Sequence, residues 1–370
     1  MASRGVAQPG LAHLHGAQEV TGSNPVAPTI SLLKGSGILM KKERILSGMR
    51  PSGKLHLGNY LGALSDWVKQ QEKYECFFMI ADWHALTDRT DTRQIQQDTQ
   101  DLLIDWLAAG LNPQESALFL QSQIPEHAEL HLILSMITPV SWLERCPTYK
   151  EKLEIGQENN YGLLGYPVLQ TADILMYKAS KVPVGEDQLP HLELSREIAR
   201  RFNYLYGNIF PEPEPLRYDA LKVLGLDGKK KMSKSYGNEI ALSEEPRLIE
   251  KKVLGMFTDP RKIYLKDPGH PEECNVYSYR RIFGPSGGKD LDGIFQDCRE
   301  GRLPCTRCKK DLAQVLIKAL APFRERRKEL EANPSELEKI LAEGKKAASE
   351  VARATSDEVR KAMHISSAQG

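Results

Sequence analysis

The run Cys76-Phe77-Phe78-Met79-Ile80-Ala81 constrains the fold more than any other stretch of the chain. An unbroken apolar run of strand length suits a β-strand covered on both faces, which is the signature of a parallel sheet lying between helices. Neighbouring segments keep the alternation going. Residues 44–47, 117–121 and 182–184 read as further short strands. Residues 92–109 read as a helix with Leu102, Leu103, Trp106 and Leu107 on its apolar side, and 189–202 as another. Strands alternating with helices predict an α/β fold with a doubly wound, Rossmann-like parallel sheet that binds ligands at the carboxyl ends of its strands. Trp67, Trp83, Trp106 and Trp142 read as core or interface aromatics.

The first strand runs into Gly48, Pro51 and Gly53, and a helix is expected from near Gly58, with Tyr60, Leu61, Leu64, Trp67 and Val68 on one face. A strand, a glycine-rich turn and a helix N-terminus make an anion site, because unpaired backbone N–H groups and the helix dipole point at the same place. Gly58 leaves room for a flat ring against the backbone, and His56 and Asn59 add donors. Far downstream lies Lys231-Met232-Ser233-Lys234-Ser235, behind Gly228-Lys229-Lys230. Alone, this lysine-rich run would read as a solvated basic loop or nucleic-acid patch. A second anion-binding element one domain's length upstream changes that reading: two lysines and two hydroxyls on a loop can follow a polyphosphate through a reaction.

Length allows two domains. With 50 Lys and Arg against 49 Asp and Glu, net charge carries no information about partners, so any nucleic-acid affinity must come from local clusters. No apolar run approaches a bilayer span. Residues 1–39 are rich in Gly, Ala, Pro and Ser and are expected to be a disordered or spurious extension, with Met40 as a plausible start and a transit peptide as the rival reading. After residue 242 the character turns helical. Leu312, Val315, Leu316, Ala319, Leu320 and Phe323 form one stripe. Asn333-Pro334-Ser335-Glu336 marks a helix start, and Thr355 with Glu358 is a second possible capping box. The expected division is 40–242 for the sheet domain, 243–365 for a helical domain and 366–370 for a tail. The cluster Arg324, Arg326, Arg327 and Lys328 is offset by Glu325, Glu329 and Glu331 and reads as a solvated helix face. Gly284-Pro285-Ser286-Gly287-Gly288-Lys289 falls one residue short of a phosphate loop and is followed by Asp290, so it is set aside.

The two anion-binding elements resemble the signatures of class I aminoacyl-tRNA synthetases, and residues from about Lys41 to His364 resemble the bacterial tryptophanyl-tRNA synthetases. The supporting segments are Ser47-Gly48-Met49-Arg50-Pro51-Ser52-Gly53, Ala81-Asp82-Trp83-His84-Ala85-Leu86-Thr87, the stretch 166–173 and Val182-Pro183-Val184-Gly185-Glu186-Asp187-Gln188. Asn59, where most class I enzymes have histidine, is typical of that branch. The resemblance implies a tryptophan–tRNA ligase using ATP and Mg²⁺, with L-tryptophan and tRNA(Trp) as substrates. It also implies a cytoplasmic homodimer whose helical domain reads the anticodon, with neither membrane nor DNA as partner. It implies His56, Asn59, Lys231 and Lys234 as the catalytic set. Arg50, Pro51, Ser52, Gly58, Lys152, Gly185, Glu186, Asp187, Val223, Met232, Ser233 and Ser235 complete the ATP site. Around tryptophan it implies Asp173 as the indole N–H acceptor, with Tyr166, Gln170, Gln188, Leu46 and His84. For His84, a core or supporting role weighs as much as direct contact. A tyrosyl enzyme is the alternative, because a phenol also donates to Asp173. Against it, Leu46 stands where such enzymes place a second polar partner. A synthetase-like nucleotide- or RNA-binding protein without activity is the rival of another class; intact signatures weigh against it.

Cys274, Cys298, Cys305 and Cys308 fall within 35 residues. Four thiolates with a Cys-x-x-Cys pair suit tetrahedral Zn²⁺ or an iron–sulfur cluster. Spacing alone favours zinc, whereas certain bacterial tryptophanyl-tRNA synthetases carry a [4Fe–4S] cluster on a very similar pattern, so the resemblance implies the cluster. Cys76 and Cys146 are expected to lie outside this group.

Overall fold

The computed structural model describes residues 42–365 apart from 88, 218–222 and 285–289. The expectations for 1–39, for the glycine-rich segment 285–289 and for the tail 366–370 lie outside the described residues. Five parallel strands, β1 (Arg44–Met49), β2 (Glu75–Ile80), β3 (Ser116–Leu120), β4 (Lys181–Pro183) and β5 (Glu214–Leu216), form one sheet in the order β3-β2-β1-β4-β5. Register pairs Ile45 with Cys76 and Phe77 with Ala117, while β1 and β4 meet at Ile45 and Lys181. The order reverses direction between β1 and β4. That switch point opens a crevice beyond the carboxyl ends of both strands, where doubly wound sheets bind ligands.

The first helical stretch runs from α1 (Leu57–Asn59) through a π-helical turn at Tyr60–Leu64 into α2 (Ser65–Gln70). Next come α3 (Asp82–Ala85), α4 (Ile95–Ala108), α5 (Glu126–Ile137), α6 (Val140–Glu144), α7 (Pro147–Glu154), α8 (Tyr161–Met176) and α9 (Leu189–Tyr206). Helix α4 begins three residues later than expected from Thr92. Arg93 is engaged in a local turn there, donating its N–H to Asp91 Oδ1 at 3.1 Å. Trp67 stacks on Phe78 at 4.9 Å between centroids and meets Trp106 edge-on at 5.6 Å, so these two tryptophans are core.

The chain then forms α10 (Pro246–Leu254), α11 (Asn275–Phe283), α12 (Leu291–Arg299), α13 (Cys305–Ala319), α14 (Ala321–Glu331) and α15 (Pro334–Ala362). The expected stripe from Leu312 to Phe323 is two helices. Pro322 has no amide to continue the α13 ladder, and the helix ends at Leu320. The proposed cap at Thr355 is also overturned. Thr355 and Ser356 are buried inside α15, which runs on because Ala348, Ala352 and Val359 pack into the sheet's core cluster.

Two compact units result. One comprises Pro246–Pro322; the other joins Glu43–Glu245 with the segment from Phe323 onward. This division differs from a single helical domain over 243–365, because α15 lies against edge strand β3 and helices α5 and α8. A helix over β3 shields an unpaired sheet edge. Close approach is made possible by Gly344, where a Cβ would run into the Leu118 carbonyl oxygen. Gly344→Ala should therefore destabilise the protein by about 3 kcal/mol, the upper end for overpacking. A lower midpoint in urea unfolding is the expected result, and an unchanged midpoint would reject the contact.

Candidate active site

His56 and Asn59 build the helix entrance at the end of β1. Asn59 N–H donates to His56 Nδ1 at 3.3 Å, and His56 N–H donates to Asn59 Oδ1 at 3.1 Å, a reciprocal cap made by two residues of one motif. Burial and then the nearby Lys234 charge lower the His56 pKa to about 4, so the imidazole is neutral at physiological pH. Gly58 leaves little room for a side chain: a Cβ would press on the His56 ring at 3.0 Å and on Met232 at 3.2 Å.

The lysine loop lies down on this motif. Gly58 N–H points at Met232 Sδ, 3.3 Å away, and Lys234 Nζ donates to the Ser52 carbonyl at 2.6 Å. Met232 therefore covers the backbone face that was expected to receive a flat ring. Asp227 Oδ1 accepts the Lys229 and Lys230 amides, Asn238 Oδ1 accepts Ser233 N–H at 2.8 Å, and Ser233 and Ser235 share a hydrogen bond. Val223, buried, has its carbonyl 3.4 Å from Met232 N. The loop is shaped by its own Asp and Asn side chains, while the lysines stay at the surface.

Beside this motif, a cavity of about 390 Å³ opens at the switch point. Its wall includes Leu46, Arg50, His84, Lys152, Tyr166, Gln170, Asp173, Gly185 and Gln188. Tyr166, Gln170 and Asp173 share one face of α8 by their i, i+4, i+7 spacing, and Asn160 starts that helix by accepting Leu163 N–H at 2.9 Å. Pro51, Ser52, His56, Gly58, Asn59, Glu186, Asp187, Val223 and residues 231–235 are not part of that wall. Leu46 is buried and brings only hydrocarbon to it.

Asp173 is the centre of a buried polar network. Its Oδ2 accepts from His84 Nε2 at 2.7 Å; its Oδ1 accepts from His127 Nδ1 at 2.7 Å and Gln121 Nε2 at 2.8 Å. With Nδ1 of His127 donating, Nε2 is left to accept from the Tyr177 hydroxyl at 2.8 Å. Burial alone would raise the Asp173 pKa; the His84 charge and the hydrogen bond from His127 outweigh it and bring the value to about 2. The carboxylate is thus an acceptor only. Gln121, His127 and Tyr177 escape sequence reasoning, since they come from separate elements and no motif in the sequence links them to Asp173. The clue in the sequence is position: Gln121 immediately follows β3, on the ligand side of the sheet.

Two turns before Asp173 on the same face of α8, the Tyr166 hydroxyl lies 2.5 Å from His191 Nε2, and Cys146 Sγ lies 3.2 Å from the same nitrogen. Lys152 Nζ sits 5.6 Å from the Tyr166 ring centroid. Gln188 donates its amide to Asp187 at 3.0 Å.

In the unit Pro246–Pro322, Cys274, Cys298, Cys305 and Cys308 line one small cavity with Thr258, Val276, Ile294 and Leu303. Cys305 and Cys308 share a face in the first turn of α13, Cys274 precedes α11, and Cys298 lies near the end of α12. Burial, then the Cys274 charge, raises the Cys298 thiol to about 11. Among the described residues, no three His, Cys, Asp or Glu side chains converge tightly enough to hold a single metal ion. Cys76 is buried in β2, and Cys146 is buried beside His191.

Residues 40–321 match the model of the class I tRNA synthetases (W and Y). The chain is 48% identical to the tryptophan–tRNA ligase of Thermotoga maritima, over 87% of this chain and 99% of that one. It is 45% identical to the enzyme of that name from Aquifex aeolicus, over 87% and 100%. The tryptophanyl-tRNA synthetase of Campylobacter jejuni, solved with ADP and tryptophan, superposes with a TM-score of 0.80 at 35% identity, covering 87% of this chain and all of that one. The chain belongs to the class I tRNA synthetases (W and Y), among the tryptophan–tRNA ligases.

Proposed function

We propose that the protein activates L-tryptophan with ATP and transfers it to tRNA(Trp). The observation that carries this reading is Asp173: a buried, ionised acceptor in the wall of the switch-point cavity. An indole has one polar atom, a donor, and a carboxylate that cannot donate selects for it. Leu46, with no polar atom, favours tryptophan over tyrosine. Tyr166 and Gln188 are assigned to the substrate amino group.

The tryptophan carboxylate attacks the α-phosphorus in line, and pyrophosphate leaves. His56 and Asn59, already locked by their mutual cap, hold the α-phosphate. Lys231 and Lys234 follow the departing charge, with Ser233 and Ser235 as further donors. Arg50, Lys152 and the 185–187 turn hold the rest of ATP. Mg²⁺ bound with the nucleotide would supply charge neutralisation at its phosphates. Positioning and charge stabilisation supply the rate, so no side-chain nucleophile is needed. The 2′-OH of the terminal tRNA adenosine then takes the acyl group. Pyrophosphate exchange measured separately with tryptophan and tyrosine is the test. Exchange with tryptophan is expected; exchange with tyrosine alone, or with neither, would overturn the assignment.

We assign the four-cysteine cavity to a [4Fe–4S] cluster, with Zn²⁺ as the alternative. The four thiols line one void, a fitting donor set. Zinc would draw all four sulfurs to about 2.3 Å from one point, whereas a cluster accepts a wider ring. Bound, it would cross-link α11, α12 and α13 and shape the surface of this unit for the anticodon. Protein purified anaerobically should be brown, with iron and labile sulfide in equal amounts. Colourless protein with one zinc per chain would replace the cluster by the ion.

A homodimer fits the exposed apolar side chains Leu132 and Met136 on one face of α5 and Val140 on α6, which are 56%, 74% and 56% exposed. A cytoplasmic location follows from the resemblance to tryptophan–tRNA ligases; separately, no helix among the described residues is long and apolar enough to cross a membrane.

A further inference from the structure

Asp105 lies on α4, fully buried and outside every group assigned above. A buried carboxylate is costly unless paired and hydrogen-bonded, and its two oxygens serve different elements. Oδ2 accepts Leu55 N–H at 2.6 Å; Oδ1 accepts from Arg327 Nη1. Arg327, itself buried on α14, also donates to the Asp101 carboxylate and, through Nε, to Glu331 Oε1 at 2.9 Å. The guanidinium is held from three sides, so the carboxylate plane it grips is set as well.

Leu55 immediately precedes His56. On the other side of the same segment, Leu55 C=O accepts Leu242 N–H at 2.8 Å and Leu57 N–H donates to Ile240 C=O at 2.9 Å. The entrance to the helix is thus clamped between residues just past the lysine loop and the Asp105 carboxylate. Loss of one clamp would let the Leu55 peptide rotate and carry the His56–Asn59 cap with it.

We infer that Asp105, oriented by Arg327, is a positioning residue for the activation step: by fixing the Leu55 amide it sets the direction in which His56 and Asn59 meet the nucleotide. This rests on the ATP-dependent activation proposed above. A role confined to docking α14 on α4 would need the Asp105–Arg327 pair but not the bond to Leu55.

Two charge-neutral double variants separate these roles. Asp105→Asn with Arg327→Met keeps an oxygen acceptor for Leu55; Asp105→Leu with Arg327→Met removes it, and both lack the ion pair. Should the leucine variant fail to fold, Asp105→Ser with Arg327→Met, too short to reach Leu55, takes its place. Tryptophan-dependent pyrophosphate exchange is measured below the melting temperature of each. The acceptor-free variant should lose about 10²-fold in kcat, the effect of a small misplacement of reacting groups. Its tryptophan KM should stay within about 2-fold of wild type, since uniform binding is untouched. The asparagine variant should retain most of the exchange rate. Equal rates in the two double variants would overturn the inference. Absence of exchange in the wild type would instead remove the activation reading, and the inference with it.

Discussion

Asp173→Asn should raise the tryptophan KM about 10²-fold while leaving the ATP KM near its wild-type value, the size expected for losing a charge-assisted hydrogen bond in a site built around it. Asparagine has one acceptor oxygen where the native residue has two. Its amide nitrogen must face either His84 or the His127–Gln121 pair, so a donor meets a donor and the pocket loses its order. Stability should fall too. The folded pKa of Asp173 is depressed, to about 2 from 3.8, so the carboxylate stabilises the native state above the unfolded value and loses that contribution as pH falls toward the folded one. The shift corresponds to about 2 kcal/mol at neutral pH. Urea midpoints should therefore drop between about pH 4 and pH 2 more steeply in the wild type than in the variant. Equal slopes with an unchanged tryptophan KM would dismiss Asp173 from both roles.

Lys234→Ala and Lys231→Ala should each slow tryptophan-dependent pyrophosphate exchange by about 10²- to 10³-fold, the range found when one donor to a developing charge is removed. Tryptophan affinity, measured without ATP, should hold within about 2-fold, because neither side chain lines the amino-acid cavity. The geometry explains why Lys234 is free to act. Its resting partner is the neutral Ser52 carbonyl, and the nearby Asp98 carboxylate is engaged by Arg89 at 2.5 Å. Transfer to a polyphosphate therefore breaks no close ion pair between Lys234 and the described residues. Parallel loss of exchange and tryptophan binding would point to a damaged fold instead.

Much of this molecule is legible in its sequence. The apolar run 76–81 announced a strand buried on both faces, and the strand–turn–helix around His56 and the Lys231–Ser235 loop stood out as two segments that the fold then brings together at Gly58 and Met232. Those signals are local: a strand pattern, a turn residue or a helix cap is written in a few consecutive side chains. The companions of Asp173 were of another kind. Gln121, His127 and Tyr177 come from three separate parts of the chain, and nothing in the sequence ties them to one another or to Asp173. Arg327 shows the same limit. Its neighbours Glu325, Glu329 and Glu331 suggested a solvated face, yet Asp101 and Asp105, more than 200 positions earlier, take it into the interior. Thr355 was read as a helix cap because hydroxyls favour caps, until burial of α15 against β3 overrode propensity. Local chemistry determined which segments are strands, helices and turns. Which buried charges find partners, and so which residues orient the site, depended on long-range packing, because a pair's energy is realised only when the fold removes water from both members.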